Sequence, residues 1–316
     1  MPLPETKVLP PDSGGVAEAG RLLADGRLVA FPTETVYGLG ADSTRDLSVA
    51  AIYEAKGRPS FNPLIVHVGS LQAATDIAEF GADDLALAQA FWPGPLTLVL
   101  PLRSDAKVSK LVTAGLTTVA IRVPAHPVAR AILEAAQVPV AAPSANPSGR
   151  ISATRAEHVL SGLGGRIDAL VDAGPCEVGL ESTIVTTRPD LRLLRPGGLP
   201  TEAIEACLGR DIQAADATDG ISAPGQLVSH YAPKGALRLN VTQPEAGEAF
   251  LGFGPVSADL NLSPTGDLHE AAANLFRLLH VLDAQGASRI AVAPILDTGL
   301  GRAINDRLRR AAATRP

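Results

Sequence analysis

Lys56 and Arg58 stand one glycine apart in "AKGRPSFNPL" (55–64), followed by Pro59 and Pro63, which fix the backbone. Lysine is the minority cation in this chain, five against twenty-two arginines, so its use beside an arginine asks for a reason. One reading is a charge pair at a helix C-terminus, where cations suit the helix dipole. The other is that two cations held this close are waiting for an anion.

Arg122 raises the same question from a strand. In "TTVAIRVP" (117–124), alternation puts Thr118, Ala120 and Arg122 on one face and Val119, Ile121 and Val123 on the other. Removing the partner of a buried arginine costs about 3–5 kcal/mol, so Arg122 needs one. The small Ala120 leaves open space beside it. An internal carboxylate pair, an exposed edge strand and an anionic ligand all satisfy this pattern.

Other polar residues stand at the ends of apolar runs. His67, in "LIVHV" (64–68), shares a face with Ile65, and a structural histidine is the commoner use of that position. In "FPTETVYGLGAD" (31–42), Thr33 and Thr35 either bind a polar ligand or cap a turn. "APSANPSGRISAT" (142–154) is more specific: Ser144, Asn146, Ser148 and Gly149 offer hydroxyls, an amide and free backbone N–H groups at a strand end, which suits phosphate or nucleotide binding. "GLESTIV" and "RLLRPGG" add Ser182 and Arg195. The chain has no G-x-x-x-x-G-K-[ST], no complete G-x-G-x-x-G, no H-E-x-x-H and no G-x-S-x-G. No nucleophile–base pair stands out.

These residues need a scaffold of strands and helices. "LVAFP" (28–32), "LIVHV", "LTLVL" (96–100), "TVAIRVP", "VPVAA" (138–142), "ALVDA" (169–173), "STIVTT" (182–187) and "LRLLRP" (191–196) read as strands. Between them, "GGVAEAGRLLADG", "LSVAAIYEAKG", "LALAQAFW", "HPVARAILEAA" and "TRAEHVLSGLGG" carry helical spacing. The alternation predicts an α/β layered domain over residues 14–205. Residues 206–236 lose periodicity and gather Gly, Pro, Asp and Ser, the chemistry of a linker. Residues 237–316 resume with "LRLNV", "AFLGF", "ADLNL", the helix pattern "DLHEAAANLFRLLHVLDAQG", "RIAVAPI" and a basic last helix, a second and smaller α/β unit.

Bulk properties narrow the class further. The 316 residues are 46% hydrophobic, ample for a core, and carry a net charge of −6 without a basic run. That counts against a strong nonspecific grip on nucleic acid, which needs clustered Lys and Arg. Cys176 and Cys207 match no disulfide framework or metal-ligand spacing. "MPLPETKVLPPDSGG" lacks a basic-then-apolar signal pattern, and no apolar run approaches the ~20 residues of a membrane span. A cytoplasmic protein without membrane contact is expected.

Taken in order, "FPTETVYGLGAD", "KGRPSFNPL", "FWPGPLTLVL", "AIRVP", "PSANPSG", "ESTIV" and "LRPG" resemble the YrdC family over nearly all of residues 14–200. "SHYAP" and the tail ending in "GLGRAINDRLRRA" make the chain similar to that family's long, two-domain threonylcarbamoyl-AMP synthases. The resemblance implies a YrdC-like twisted mixed sheet with flanking helices, then a linker and a smaller Rossmann-like α/β domain. It implies condensation of L-threonine, bicarbonate and ATP into threonylcarbamoyl-adenylate with release of pyrophosphate. The product would serve threonylcarbamoyladenosine formation in tRNA, through partner proteins of the threonylcarbamoyl-transfer complex and without stable tRNA binding.

By the same resemblance, Lys56 and Arg58 are the catalytic cations, facing bicarbonate and the phosphates. ATP would contact Lys56, Arg58, Asn62, Thr118, Ser144, Ser152, Arg195 and Tyr231. Threonine would contact Thr35, His67, Arg122, Ala142 and Ser182, with its carboxylate on Arg122. Mg2+ is expected on the triphosphate, with no metal ligands from the protein. The linker would act as a lid around 220–234, and a chain ending near 208 would fold but lose synthesis. Two rivals are an RNA-binding module of the same fold and carbamoyl-phosphate handling. Net charge counts against the first, and the absence of the second's cysteine-rich modules against the other.

Overall fold

In the computed structural model, which describes residues 5–215, 223–225 and 229–313, the apolar runs become short strands of one large sheet. Its strands are β1 (Lys7–Leu9), β2 (Val29–Phe31), β3 (Gly38–Asp42), β4 (Ile65–His67), β5 (Leu96–Pro101), β6 (Thr118–Arg122), β7 (Val140–Ala141), β8 (Ala169–Val171), β9 (Thr183–Thr186), β10 (Arg192–Arg195) and β11 (Gln213–Ala214). They lie in the order β1-β8-β2-β3-β7-β4-β6-β5-β9-β10-β11, with parallel and antiparallel neighbours mixed. The helices are α1 (Ser13–Ala24), α2 (Asp46–Lys56), α3 (Leu71–Thr75), α4 (Ala82–Phe91), α5 (Lys110–Thr113), α6 (Pro127–Ala136), α7 (Ala156–Leu163) and α8 (Thr201–Leu208).

Local chemistry sets the helix ends. Asp12 caps α1 by accepting the Gly15 N–H, and Ser70 caps α3 through Ala73. Pro127 opens α6, where its missing N–H costs nothing. Leu64, Val66, Leu96, Leu98, Leu100 and Ile121 fill the core on one face of the central strands. The opposite face, with Ile65, Val99, Ala120 and Ile184, is the one that carries the site.

The second unit is a four-stranded parallel sheet of β12 (Ala236–Arg238), β13 (Ala249–Gly252), β14 (Leu260–Asn261) and β15 (Arg289–Val292), ordered β12-β15-β13-β14. It packs with α9 (Leu268–Ala284) and α10 (Leu300–Ala312). Val36, Ile151 and Leu180 of the first unit are buried in the same cluster as Leu275, Phe276 and Ile304 of the second. The two units therefore share a core.

Two segments depart from the sequence expectation. "GLGAD", not among the strands expected from the sequence, forms β3, paired antiparallel with both β2 and β7. Its glycines are tolerated because tertiary packing outweighs strand propensity. The stretch expected to be linker from 206 onward instead begins with the end of α8 and with β11, which pairs with β10. A two-residue strand leaves no periodicity to read, and with it the large sheet extends to Ala214. Residues 216–222 and 226–228 of the expected lid lie outside the described residues.

Candidate active site

Arg122 ends β6 at the rim of a cleft, side by side with His67 of β4 in the parallel register. Its strand is internal, which removes the edge-strand reading. The guanidinium is almost wholly buried and makes three bonds: Nη2 to Glu34 Oε1 at 2.6 Å, Nη1 to Thr35 Oγ1 at 2.9 Å and Nε to the Gly94 carbonyl at 3.2 Å. Glu34 stays ionised because Arg122 outweighs the effect of burial, which acts the other way. The internal carboxylate pair is thus present. A guanidinium has five N–H donors, so two remain for a ligand. Thr33 caps the turn below, accepting from the N–H groups of Thr35 and Val36. Burial, with Arg122 beside it, pushes His67 down to about 3 and keeps it neutral.

Lys56 is the last residue of α2, so it does stand at a helix C-terminus, but it is buried rather than solvated. Its Nζ donates to the Ser144 carbonyl at 2.5 Å and to the Asn146 carbonyl, which anchors "APSANPSG" to the helix end. Burial, and then the charge of Arg58, hold the ammonium well below its ordinary range. Arg58 donates from Nε to the Asn62 carbonyl (3.3 Å) and from Nη2 to that of Pro63 (3.0 Å), and burial lowers it to about 10. Both amide atoms of Asn62 are buried without a protein partner among the described residues. A group left so costs about 1–3 kcal/mol, which a ligand would repay.

On the far wall, Arg195 at the end of β10 reaches back to β9. Its Nε and Nη2 donate to the Ser182 carbonyl at 3.2 and 2.8 Å, and Nη2 also meets Ser182 Oγ at 3.2 Å. The same hydroxyl lies 2.7 Å from Thr97 Oγ1. Gly197 keeps this wall thin: a Cβ there would fall 2.4 Å from the backbone of Glu181, Ser182 and Thr183. Glu181 is fully buried, accepts the Ser152 hydroxyl, and is kept ionised by Arg307 and Arg195 against burial.

A strap from the inter-unit segment crosses the cleft. Ala223 is buried beside Ala120 in the cluster of Ile65, Val99 and Ile184, filling the space that Ala120 leaves. The Pro224 carbonyl accepts from Arg195 Nη1 at 3.2 Å. Gly225 (φ +87°) passes so close that a Cβ would lie 2.8 Å from Arg195 Cδ and from Tyr231 Oη. Tyr231 is buried with φ +62°, a conformation rare outside glycine, and stacks 5.6 Å from Phe276. His230, beside it, is pushed down to about 3 by burial. The partly open space between these walls is about 40 Å³, room for a few waters.

Of the residues that the resemblance assigns to ATP or threonine, Thr35, Arg58, His67, Arg122, Ala142, Ser144, Ser182, Arg195 and Tyr231 line this cleft. Four do not. Lys56 lies behind the Ser144 loop. Asn62 lies under Arg58, and Ser152 is turned to Glu181. Thr118 is half-buried at the other end of β6, about 13 Å along the strand from Arg122. Sequence reasoning missed Glu34, Glu181 and Arg307. Glu34 and Glu181 each precede a residue that was chosen, in short polar stretches bordered by apolar residues. A carboxylate in such a place is itself a signal for a buried cation.

A twisted mixed sheet with buried cations at its loop-bearing strand ends, bordered by a segment leading to a second unit, defines a two-unit α/β protein with a cationic cleft. Residues 21–197 match the family model Sua5_yciO_yrdC, described as telomere recombination. Residues 199–313 match Sua5_C, described as threonylcarbamoyl-AMP synthase, C-terminal domain. The chain belongs to the Sua5–YciO–YrdC family, in its two-domain form. The threonylcarbamoyl-AMP synthase of Bacillus subtilis is 42% identical over 324 residues, spanning 95% of this chain and 93% of that protein. The crystal structure of Pyrococcus abyssi Sua5 complexed with L-threonine matches with a TM-score of 0.90 and 38% identity, over 97% of this chain and 98% of that one. Escherichia coli YciO, at 20% identity and a TM-score of 0.55, shares the fold over 61% of this chain and 95% of its own.

Proposed function

We propose that the chain is an L-threonylcarbamoyladenylate synthase, a nucleotidyltransferase that consumes L-threonine, bicarbonate and ATP. The observation that carries this reading is the convergence of Arg58, Arg122 and Arg195, with Lys56 behind them, on one strap-covered cleft in a chain of this family. The threonine amine attacks the bicarbonate carbon, and water leaves as the carbamate forms. A carbamate oxygen then attacks the α-phosphorus of ATP; the bond to the bridging oxygen breaks and pyrophosphate departs.

Arg122 takes the threonine carboxylate on its two uncommitted N–H groups, with Thr35, His67, Ala142 and Ser182 around the side chain. The geometry favours arginine because its planar fork matches a carboxylate. Lys56 and Arg58 hold bicarbonate and the phosphates together, two anions that otherwise repel each other. Asn62, Thr118, Ser144, Ser152, Arg195 and Tyr231 complete the nucleotide site, and ATP supplies the partner that the Asn62 amide lacks.

Mg2+ bound to the triphosphate would screen its charge. Glu181, a carboxylate lining the cleft, is taken by Arg307 and Ser152, so such an ion would rest mainly on phosphate oxygens and water. The strap is the lid. It must leave for substrates to enter a space of about 40 Å³, and once closed it shields a mixed anhydride that water destroys. Among the described residues no helix is long and apolar enough to cross a membrane. The product passes to proteins of the tRNA threonylcarbamoyl-transfer complex in the cytoplasm, with no stable tRNA binding by this chain. Pyrophosphate release from ATP, measured with threonine and bicarbonate each withheld in turn, tests the reaction. Release should require both, and equal release without threonine overturns the reading.

A further inference from the structure

Arg307 belongs to the second unit, on the basic last helix, where the sequence gives no reason to expect it inside. It is 1% exposed. Its Nε donates to Glu181 Oε2 at 2.8 Å, its Nη1 to Asp306 Oδ2 at 2.6 Å, and its guanidinium carbon stands 4.9 Å from the centre of the Tyr231 ring. Asp306 also accepts from Arg310 Nε at 3.0 Å, and the Arg310 carbonyl accepts the His230 N–H at 3.2 Å. One turn of α10 thus touches a wall of the cleft, Glu181, and its lid, His230 and Tyr231.

We propose that Arg307 is a positioning residue for the nucleotide: it takes up the charge of Glu181 from behind, so that the cations of the cleft remain free for the triphosphate. The alternative, a pair kept only to hold the units together, is poorly supported by energetics. Buried ion pairs contribute little net stability over well-packed apolar residues, because both charges lose their hydration. Glu181 without Arg307 is a different matter. Its charge would act on Arg195, and on Lys56 behind the Ser144 loop, and repel phosphate. The cation on the Tyr231 ring fixes that side chain as well, by an interaction worth more when desolvated. The second unit then contributes to the site through charge, without touching substrate.

This inference rests on the proposed reading of the cleft as an ATP site, so its test measures nucleotide binding directly, by calorimetry on the full chain, alongside turnover. Arg307→Met should weaken ATP binding by about tenfold or more while threonine binding changes by less than about twofold. Arg307→Lys keeps the charge and should recover ATP affinity to within about threefold of wild type. The double variant Glu181→Gln/Arg307→Met removes both charges and should also recover it, which keeps the proposal testable if Arg307→Met alone does not fold. Unchanged ATP affinity in a folded Arg307→Met protein overturns the proposal. So does an equal loss of ATP and threonine binding, or no recovery in a folded double variant. A wild-type chain that binds ATP but releases no pyrophosphate would instead sink the synthase reading and leave the role of Arg307 standing.

Discussion

Arg122 Nη2 lies 2.6 Å from Glu34 Oε1, both side chains buried, so the arginine that would receive the threonine carboxylate already holds one carboxylate of the protein. Glu34 also accepts the Ala125 N–H at 3.1 Å, which pins the pair to the loop after β6. The pair fixes the plane of the guanidinium before any ligand arrives. Arg122→Lys preserves the charge opposite Glu34 but loses the planar fork. Threonine affinity should fall more than ATP affinity, since each charged hydrogen bond is worth about 1.5–3 kcal/mol. Calorimetry with each ligand checks this, and unchanged threonine binding in a folded variant reduces Arg122 to a structural role.

Lys56 is held well below its ordinary range by burial and by Arg58, with two carbonyls as its acceptors. An anion arriving nearby raises that value, so nucleotide binding should take up protons. Binding heats measured in buffers of different ionisation enthalpy report the uptake, and it should be absent in Lys56→Ala. Both Lys56→Ala and Arg58→Ala should slow synthesis by about 100-fold or more. Full activity in both variants would return the pair to a helix-end ornament.

The strap makes a prediction about motion. Ala223, Pro224, Gly225 and Tyr231 occupy or border the cleft, so the strap must open before ATP enters and close over it afterwards. Protease cleavage between residues 209 and 236 should slow when ATP and threonine are both present. Cleavage indifferent to ligands makes the segment a tether. A chain ending near 208 should lose synthesis, and it should also lose stability, because Val36, Ile151 and Leu180 give up their packing against the second unit. The expectation that the first unit folds unaided is weakened by that shared core. Melting of the truncated chain decides it.

His158 of α7 and His280 of α9 stack across the two units, 3.8 Å between ring centroids. Burial, then the neighbouring His280, push His158 down to about 3, and burial lowers His280 as well. The folded state keeps these rings neutral, while the unfolded chain takes up protons below the ordinary value of 6.5. Their contribution to stability is therefore complete above pH 6.5 and is lost as pH falls toward the folded values. Melting temperatures between pH 7.5 and 5 should drop, and His158→Gln should flatten the slope. An unchanged slope in that variant removes the pair from the account.

Much of this protein is fixed by local sequence. Apolar runs with period two gave β4, β5, β6 and β9, and helical spacing gave α1, α2, α6 and α9, because each pattern suits one backbone period. Alternation made Arg122 legible as a strand cation in need of a partner, with an exposed edge still open, and the loop after "VPVAA" as a polar strand end. What the sequence could not decide is which distant charges meet. Glu34 and Arg122 are 88 residues apart, and Glu181 and Arg307 are 126 apart. Local periodicity says only that a side chain faces inward; its partner depends on strand order and on how the two units dock. The same holds for β3, where two glycines form a strand because neighbours on both sides pair with it, and for the strap, whose closeness to Arg195 comes from the second unit's position. Buried charge is costly enough to demand a partner, and only the tertiary structure supplies one.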